Sequence, residues 1–384
     1  MFVLDDQVVY SATDLSCAAE CEYALLRTFD AKLGRGPALS ADPLTMHLAM
    51  LGRRHEYCQL DRLRDEFGGA VTVIGRPAYT RAGLASATEA TLRAVAGGAP
   101  VVYQAAAFDG RFVGFADFLV RDGSCYRVRD AKLARSAKSG ALLQVTAYAQ
   151  TLSHAGVPIA PEVELILGDG SLVSHRTDEQ IPIYASRRAR VQQLLDDHLA
   201  RGAAVSWDDP GVQACLRCEL CWEWLRAGDD VLLVKGMRVD RRATLFDAGI
   251  HTVTDLAEHR GPVPNLAQDT LDTLTAQAKL QVRQRNTGIP QFEIVNPAQL
   301  ALLPEPDDGD LFFDFEGDTQ WAGADGELGL EYLFGILDSA GGFRPLWAHD
   351  RADERRALID FLALVRDQRN RYPAMHIYHY AAYE

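Results

Sequence analysis

The hydrophobic pattern is sharpest just after Arg111, where FVGFADFLV is followed by Arg121-Asp122-Gly123 and then CYRVRDAKLA. Two apolar runs flanking an Asp-Gly pair predict a β-hairpin. With Asp122-Gly123 as a two-residue loop, Arg121 pairs with Ser124, Asp117 lies opposite Val128, and Phe115 lies opposite Asp130. Strand side chains alternate between faces, so Asp130 and Lys132 share one face and Asp117 falls on it, diagonal to Asp130. The neighbours predicted there are Val113, Phe115, Leu119 and Val128.

The pattern extends in both directions. A helical stretch is predicted over 11–34, opened by Ser11 with Asp14 in a capping arrangement, with Cys17 and Cys21 one turn apart. A second helix starts at Asp42-Pro43, a cap followed by proline at the first helical position, and runs to about Phe67. Strands follow at 71–74 and 101–106, with a helix over 85–96 between them. After the hairpin come a helix carrying Gln144 and Tyr148, a strand over 162–167 and an Arg-rich helix over 186–201. Residues 229–296 read as a helical unit, with helices over 241–248 and 254–259 around Gly249-Ile250. Residues 290–306 read as an extended linker. A third unit starts near Leu311, with an apolar strand carrying Asp314 and Glu316 on one face. Strands at 332–337 and 343–348, a helix over 352–369 and a strand over 375–380 follow it.

Two carboxylates and an ammonium on an apolar strand face are unfavourable unless something compensates them. A divalent cation between Asp117 and Asp130 would do so. Carboxylates suit Mg²⁺ or Mn²⁺, which retain waters and take phosphate oxygens. Such an ion lowers the pKa of bound water and clamps a scissile phosphate. Lys132 would then orient the water or offset the charge on the phosphate. The spacing alone fits a buried Asp–Lys salt bridge equally well.

The chain has 384 residues, 48% of them hydrophobic and 24% charged, the composition of a globular protein with room for two or three domains. No apolar run reaches the roughly 18 residues of a membrane span, and no basic segment precedes an apolar run as in a signal peptide. A cytoplasmic location, with no membrane partner, is the expectation. The net charge of −14 opposes non-specific binding to nucleic acid. Any such binding has to come from a local patch, for which Arg127, Arg129, Lys132, Arg135 and Lys138 are the candidates; an ordinary solvated face is the alternative.

Seven cysteines in such a chain suit metal binding better than disulfides. Cys215, Cys218 and Cys221 converge on one ion or cluster. A structural zinc site completed by Cys17, Cys21 or a histidine is one reading. A tight run of three cysteines with one distant partner is also the pattern of iron–sulfur ligation.

Gly114-Phe115-Ala116-Asp117, then Asp130-Ala131-Lys132, then Gln144 and Tyr148 one turn apart on the next helix, together resemble the PD-(D/E)XK core of RecB-like nucleases. The resemblance implies Asp117 and Asp130 as metal ligands and Lys132 as the catalytic lysine, with Gln144 and Tyr148 beside the DNA. It also implies that His55, on the helix before the core, joins the metal site; an ordinary surface histidine is the alternative. Relatives bracket this core with one early and three late cysteines. That implies a [4Fe-4S] cluster on Cys21, Cys215, Cys218 and Cys221, with Cys17 as the alternative to Cys21 and Zn²⁺ as the alternative metal.

The segment around Gly249-Ile250 resembles a helix-hairpin-helix element, which binds the DNA backbone through amides at a helix start. A plain helical linker is the alternative. The third unit resembles DnaQ-like, RNase H-fold exonucleases of the YprB type. There Asp314 and Glu316 would bind metal, and Glu384 would replace the acid of the second motif. The third motif is not present in this sequence, so that domain is expected to be incomplete.

The expected architecture is therefore α/β and multidomain. A RecB-like nuclease with its cysteine group occupies 1–228, a helix-hairpin-helix-like linker 229–296, and a partial RNase H-like domain 297–384. The expected function is Mg²⁺- or Mn²⁺-dependent hydrolysis of DNA, at ends or in single strands, with a helicase domain or subunit as partner. A catalytically vestigial DNA-binding scaffold and a zinc-stabilised interaction domain are the alternatives.

Overall fold

The computed structural model describes residues 1–39, 43–207, 209–323 and 327–382. The chain is α/β and falls into two compact units, Met1–Gln291 and Phe292–Glu384.

The first unit opens with a hairpin the sequence pattern did not reveal, β1 (Phe2–Leu4) and β2 (Gln7–Ser11), turning through Asp5 and Asp6 at φ 50° and 61°. Ser11 then caps α1 (Ala12–Glu20) in a reciprocal capping box with Asp14, as predicted. The expected single helix breaks at Cys21, which is extended (φ −161°) and caps α2 (Glu22–Leu33) with its own sulfur on the Ala24 N–H. The break frees Cys21 from helical geometry and aims its side chain inward.

Next come α3 (Pro43–Glu66), β3 (Val71–Val73), α4 (Arg81–Ala96, capped by Thr80) and β4 (Val101–Phe108). The predicted cap at Asp42 lies outside the described residues. The hairpin follows as β5 (Phe112–Asp122) and β6 (Cys125–Ala131), then α5 (Ser139–His154), β7 (Ile159–Ile166) and β8 (Leu172–Arg176). The helix expected over 186–201 is longer, α6 (Thr177–Arg201), and contains Pro182 in its early turns.

These strands form a mixed sheet ordered β1-β2-β5-β6-β7-β8, with β4 also on β5 and β3 on β4. Helices α1, α2, α5 and α6 cover the larger core, where Tyr10, Leu15, Leu25, Phe29, Phe112 and Leu152 are buried. A smaller core under α3 joins Leu60 and Leu63 to Val101, Phe118, Val120 and Ile166.

A cysteine-bearing loop leads to α7 (Glu219–Ala227). Helices α8 (Val239–Asp247), α9 (Val253–Glu258) and α10 (Gln268–Thr287) then enclose a core of their own around Leu245, Ile250, Leu256, Leu271 and Leu274. Gly249, at φ 78°, makes the turn between α8 and α9. The buried Asp230 carboxylate holds this end of the unit together through Arg242, Nη2 at 2.5 Å, whose guanidinium also lies 3.9 Å over the Phe246 ring.

In the second unit a short turn, α11 (Pro297–Leu300), precedes β9 (Leu311–Ala322), β10 (Leu328–Asp338), β11 (Phe343–Trp347), α12 (Arg351–Arg371) and β12 (Ile377–Tyr378). The sheet order is β11-β10-β9-β12, with β12 parallel to β9. Phe313, Phe334 and Ile336 pack against Phe361 of α12 on one face. The alternate positions Asp314 and Glu316 therefore point to the other face, as the sequence predicts.

Candidate functional site

The hairpin register differs from the predicted one. Asp122 pairs with Cys125, so the loop is Gly123-Ser124, with Gly123 at φ 60°. A two-residue hairpin loop needs a left-handed residue at its first central position, and glycine supplies it more cheaply than aspartate. Asp122 stays in the strand and receives Arg127 Nε at 2.7 Å. The one-residue shift of the loop moves every cross-strand pair by two. Phe118 now faces Arg129, and the next step of the ladder sets Asp117 directly across from Asp130 instead of diagonal to it.

The sheet also splits here. One edge of β5 pairs with β2 at Phe112 and Val113 and with β6 only from Phe118 onward. Where β6 departs, Asp117 Oδ2 accepts the Ala131 N–H at 2.9 Å and replaces a ladder bond. The expected face neighbours of Asp117 are corrected as well. Ala116 and Leu119 both belong to the core under α5, while Phe118 and Val120 belong to the core under α3, so strict alternation breaks at Asp117.

The opposite edge explains the break. Gln104 sits across from Asp117, between the pairs Tyr103–Phe118 and Ala105–Ala116, with φ 56°. A left-handed non-glycine residue costs on the order of 1–3 kcal/mol and persists where its surroundings over-determine it. Its amide Nε2 donates to Glu56 Oε1 at 2.6 Å and to Asp117 Oδ1 at 3.3 Å. Tyr103 donates its hydroxyl to the same Glu56 oxygen at 2.7 Å. Glu56 and Gln104 are the residues that sequence reasoning did not assign to the site. The available signal was the helix face shared by Gly52, Glu56, Leu60 and Leu63, on which an acid interrupts a small or apolar stripe.

Asp130 is 2% exposed, and Lys132 Nζ lies 2.5 Å from its Oδ2. Three carboxylates, Glu56, Asp117 and Asp130, thus meet one paired ammonium. Burial, then the charges of Asp130 and Glu56, push the Asp117 carboxyl well above the usual range. Burial alone would lower the Lys132 ammonium, but the adjacent Asp130 charge outweighs it and the net shift is upward. A divalent cation placed between these carboxylates would offset the burial and mutual repulsion that raise Asp117, and carboxylate oxygens are hard ligands of the right type.

Tyr148 is buried with its ring against Gly114, where any Cβ would come within 2.5 Å of the ring. Gly114→Ala is therefore expected to destabilise the chain by about 1–3 kcal/mol through overpacking. Thermal unfolding followed by circular dichroism checks this, and an unchanged melting temperature would contradict the packing. Burial pushes the Tyr148 hydroxyl well above its ordinary value, and the nearby carboxylates add to the effect. The resemblance placed Tyr148 and Gln144 together beside a bound strand. They differ in exposure: Gln144 is half-buried and lines a cleft of about 270 Å³ with Lys132, Lys138, Ser16 and Glu20. His55 precedes Glu56 on α3, with its Nε2 buried and without a hydrogen-bond partner; burial lowers its pKa.

The expected basic stripe is narrower than its sequence. Arg127 reaches Glu162 at 2.9 Å and Glu164 at 3.2 Å, and Arg129 reaches Glu164 at 2.5 Å. Acids on β7 thus neutralise the two strand arginines, a cross-strand relation invisible in one segment of sequence.

The cysteines converge. Cys21, Cys215, Cys218 and Cys221 have sulfurs all within 4.8 Å of one another, a set that could hold a metal ion. Among the described residues no other group of three or more His, Cys, Asp or Glu ligand atoms is gathered so tightly. Cys17 is outside the set, half-buried, its thiol pushed up to about 12 mainly by burial. Cys58 is exposed and Cys125 half-buried, both away from it. The closest sulfur pairs are 218–221 at 3.5 Å, 21–221 at 3.7 Å, 215–221 at 3.8 Å and 21–218 at 3.9 Å. Four thiolates on one ion about 2.3 Å away would form a tetrahedron with edges of about 3.8 Å. A four-iron cluster gives each thiolate a different iron and spreads the sulfurs by the iron–iron separation. The four shortest separations here, 3.5–3.9 Å, are close to the single-ion edge.

In the second unit Asp314 and Glu316 line a cleft of about 820 Å³ with Phe312, Leu333, Phe343 and Tyr378. Glu384, the third acid expected there, lies outside the described residues.

No protein-family model matches the chain, and no curated protein matches it. Among solved structures it is similar to the one titled "Crystal structure of SSO0001", at 15% identity, covering 57% of this chain and 89% of that one, with a TM-score of 0.23. A likeness of that strength carries no argument about fold or activity. No helix among the described residues is long and apolar enough to cross a membrane.

Proposed function

We propose that the Met1–Gln291 unit contains a PD-(D/E)XK-type nuclease core that hydrolyses DNA phosphodiesters with Mg²⁺ or Mn²⁺. The observation that carries this reading is the convergence of Asp117, Asp130, Lys132 and Glu56 where β6 splits from β5. Asp117 and Asp130 would hold the cation, with Glu56 adjacent and His55 as a candidate on the same helix. A bound divalent cation supplies Lewis-acid activation of water and charge neutralisation at the phosphate.

The chain's own residues account for the rest. Gln104 fixes the Glu56 and Asp117 carboxylates in one orientation. Asp130 keeps Lys132 protonated, so its ammonium can orient water or offset developing negative charge. Gln144 and Lys138, beside Lys132 in the adjoining cleft, give a phosphate-bearing strand polar and cationic contacts. The α8–α10 segment is read as a backbone-binding helical element, and a helicase as the partner that would deliver single strands.

The test is cleavage of end-labelled single- and double-stranded DNA by the full chain with Mg²⁺ or Mn²⁺. Cleavage is expected, and EDTA is expected to abolish it. DNA binding without cleavage under all these conditions would favour a non-catalytic scaffold, in which Lys132–Asp130 is only a buried salt bridge.

A further inference from the structure

We infer that Cys21, Cys215, Cys218 and Cys221 hold a single tetrahedral zinc ion, not the four-iron cluster that the family resemblance implies. This inference is independent of the nuclease reading, because metal content is measured without any substrate.

The sulfur separations are the first ground. The four shortest, 3.5–3.9 Å, bracket the edge of about 3.8 Å expected for four thiolates on one zinc. The second ground is where the sulfurs are anchored. Cys21 and Cys221 are 4% and 0% exposed and belong to the main core. Cys21 begins α2 and Cys221 lies in the first turn of α7. Placing these two on different irons would require new side-chain rotamers or a wider gap between α2 and α7 inside a close-packed interior.

The third ground is the loop itself. Leu216 stands at φ 59°, a left-handed conformation unusual for leucine. That turn delivers the Arg217 and Cys218 N–H groups to Cys215 Sγ at 3.3 and 3.2 Å. Cys21 Sγ likewise receives the Ala24 and Cys215 N–H groups, each at 3.4 Å. Donors on sulfur fix the orientation of its lone pairs, as a metal ligand requires. Tetrahedral four-sulfur sites take zinc or iron–sulfur centres, and the spacing matches a single ion. The ion would tie residue 21 to residue 221 across the whole α/β core and act as a staple.

The experiment uses the full chain purified under nitrogen and, separately, in air, without added metal. Elemental analysis is expected to give one zinc per chain and no stoichiometric iron in both preparations, and the protein should be colourless. Exchange with Co²⁺ should give one cobalt per chain with the intense visible bands of a tetrahedral thiolate site. X-ray absorption at the zinc edge should show one sulfur shell near about 2.3 Å and no metal–metal shell. Cys218→Ser should lose the ion, whereas Cys58→Ser should keep it. Offering ferrous iron and sulfide under nitrogen should leave the zinc in place. Stoichiometric iron and acid-labile sulfide in the nitrogen preparation would overturn the inference. So would a chain that carries no metal and takes up no Co²⁺.

Discussion

Asp130→Ala is expected to reduce Mn²⁺-dependent cleavage by more than about 10²-fold, the scale of losing one electrostatic or acid–base contributor. Asp130 is the buried acid directly opposite Asp117, and it holds Lys132 at 2.5 Å. Removing it would take away a proposed cation ligand and leave the Lys132 ammonium without its partner. Because that orphaned charge could also weaken folding, Asp130→Asn and Lys132→Met serve as near-isosteric companions, each checked for native circular dichroism. Both are expected to be folded and similarly impaired. The comparison is the double change Asp314→Ala/Glu316→Ala, which is expected to leave cleavage at the parent level. Among the described residues, the cleft lined by Asp314 and Glu316 contains no lysine or arginine to take the role proposed for Lys132. If the double variant is inactive and Asp130→Ala is not, the activity belongs to the Phe292–Glu384 unit.

Asp30→Ala is expected to destabilise the α/β core by about 3–5 kcal/mol. Asp30 and His198 are both essentially inaccessible, with His198 Nε2 2.7 Å from Asp30 Oδ1. The other Asp30 oxygen accepts the Val205 N–H at 2.8 Å. Alanine leaves the imidazole and a buried N–H without partners, and each unsatisfied buried group carries its full desolvation penalty. The side chain thus joins α2, α6 and the loop after α6 at one point. Urea unfolding of the two proteins checks this; equal midpoints would show that water or rearrangement replaces these bonds. The isosteric Asp30→Asn keeps an acceptor for Val205 and is expected to lose less.

Much of this was legible along the chain because it is local. Apolar alternation located the β5–β6 hairpin and put two acids and Lys132 in it. The capping pair Ser11 and Asp14 set the start of α1, and the three clustered cysteines announced a set that could hold a metal. Such features depend on neighbours within a few residues, where the strand period of two and the turn of a helix dominate. Even here the turn chemistry misled by one residue. Gly123 rather than Asp122 takes the first loop position, and the shift converts a diagonal relation between Asp117 and Asp130 into a direct one.

Only the tertiary structure decided what lies across space. Glu56 reaches the site because α3 packs over the sheet, and Gln104 bridges it to Asp117 through a strained backbone that no local propensity favours. Arg127 and Arg129 read as a basic stripe until β7 brings Glu162 and Glu164 beside them. Cys21 and Cys221 are 200 positions apart, and the helix break at Cys21 is what lets their sulfurs meet at 3.7 Å. The sequence by itself determined which ligand types this protein carries. Their mutual distances, and with them the size of the metal centre they suit, are set by packing between elements remote in the chain, because side-chain spacing depends on how those elements close on one core.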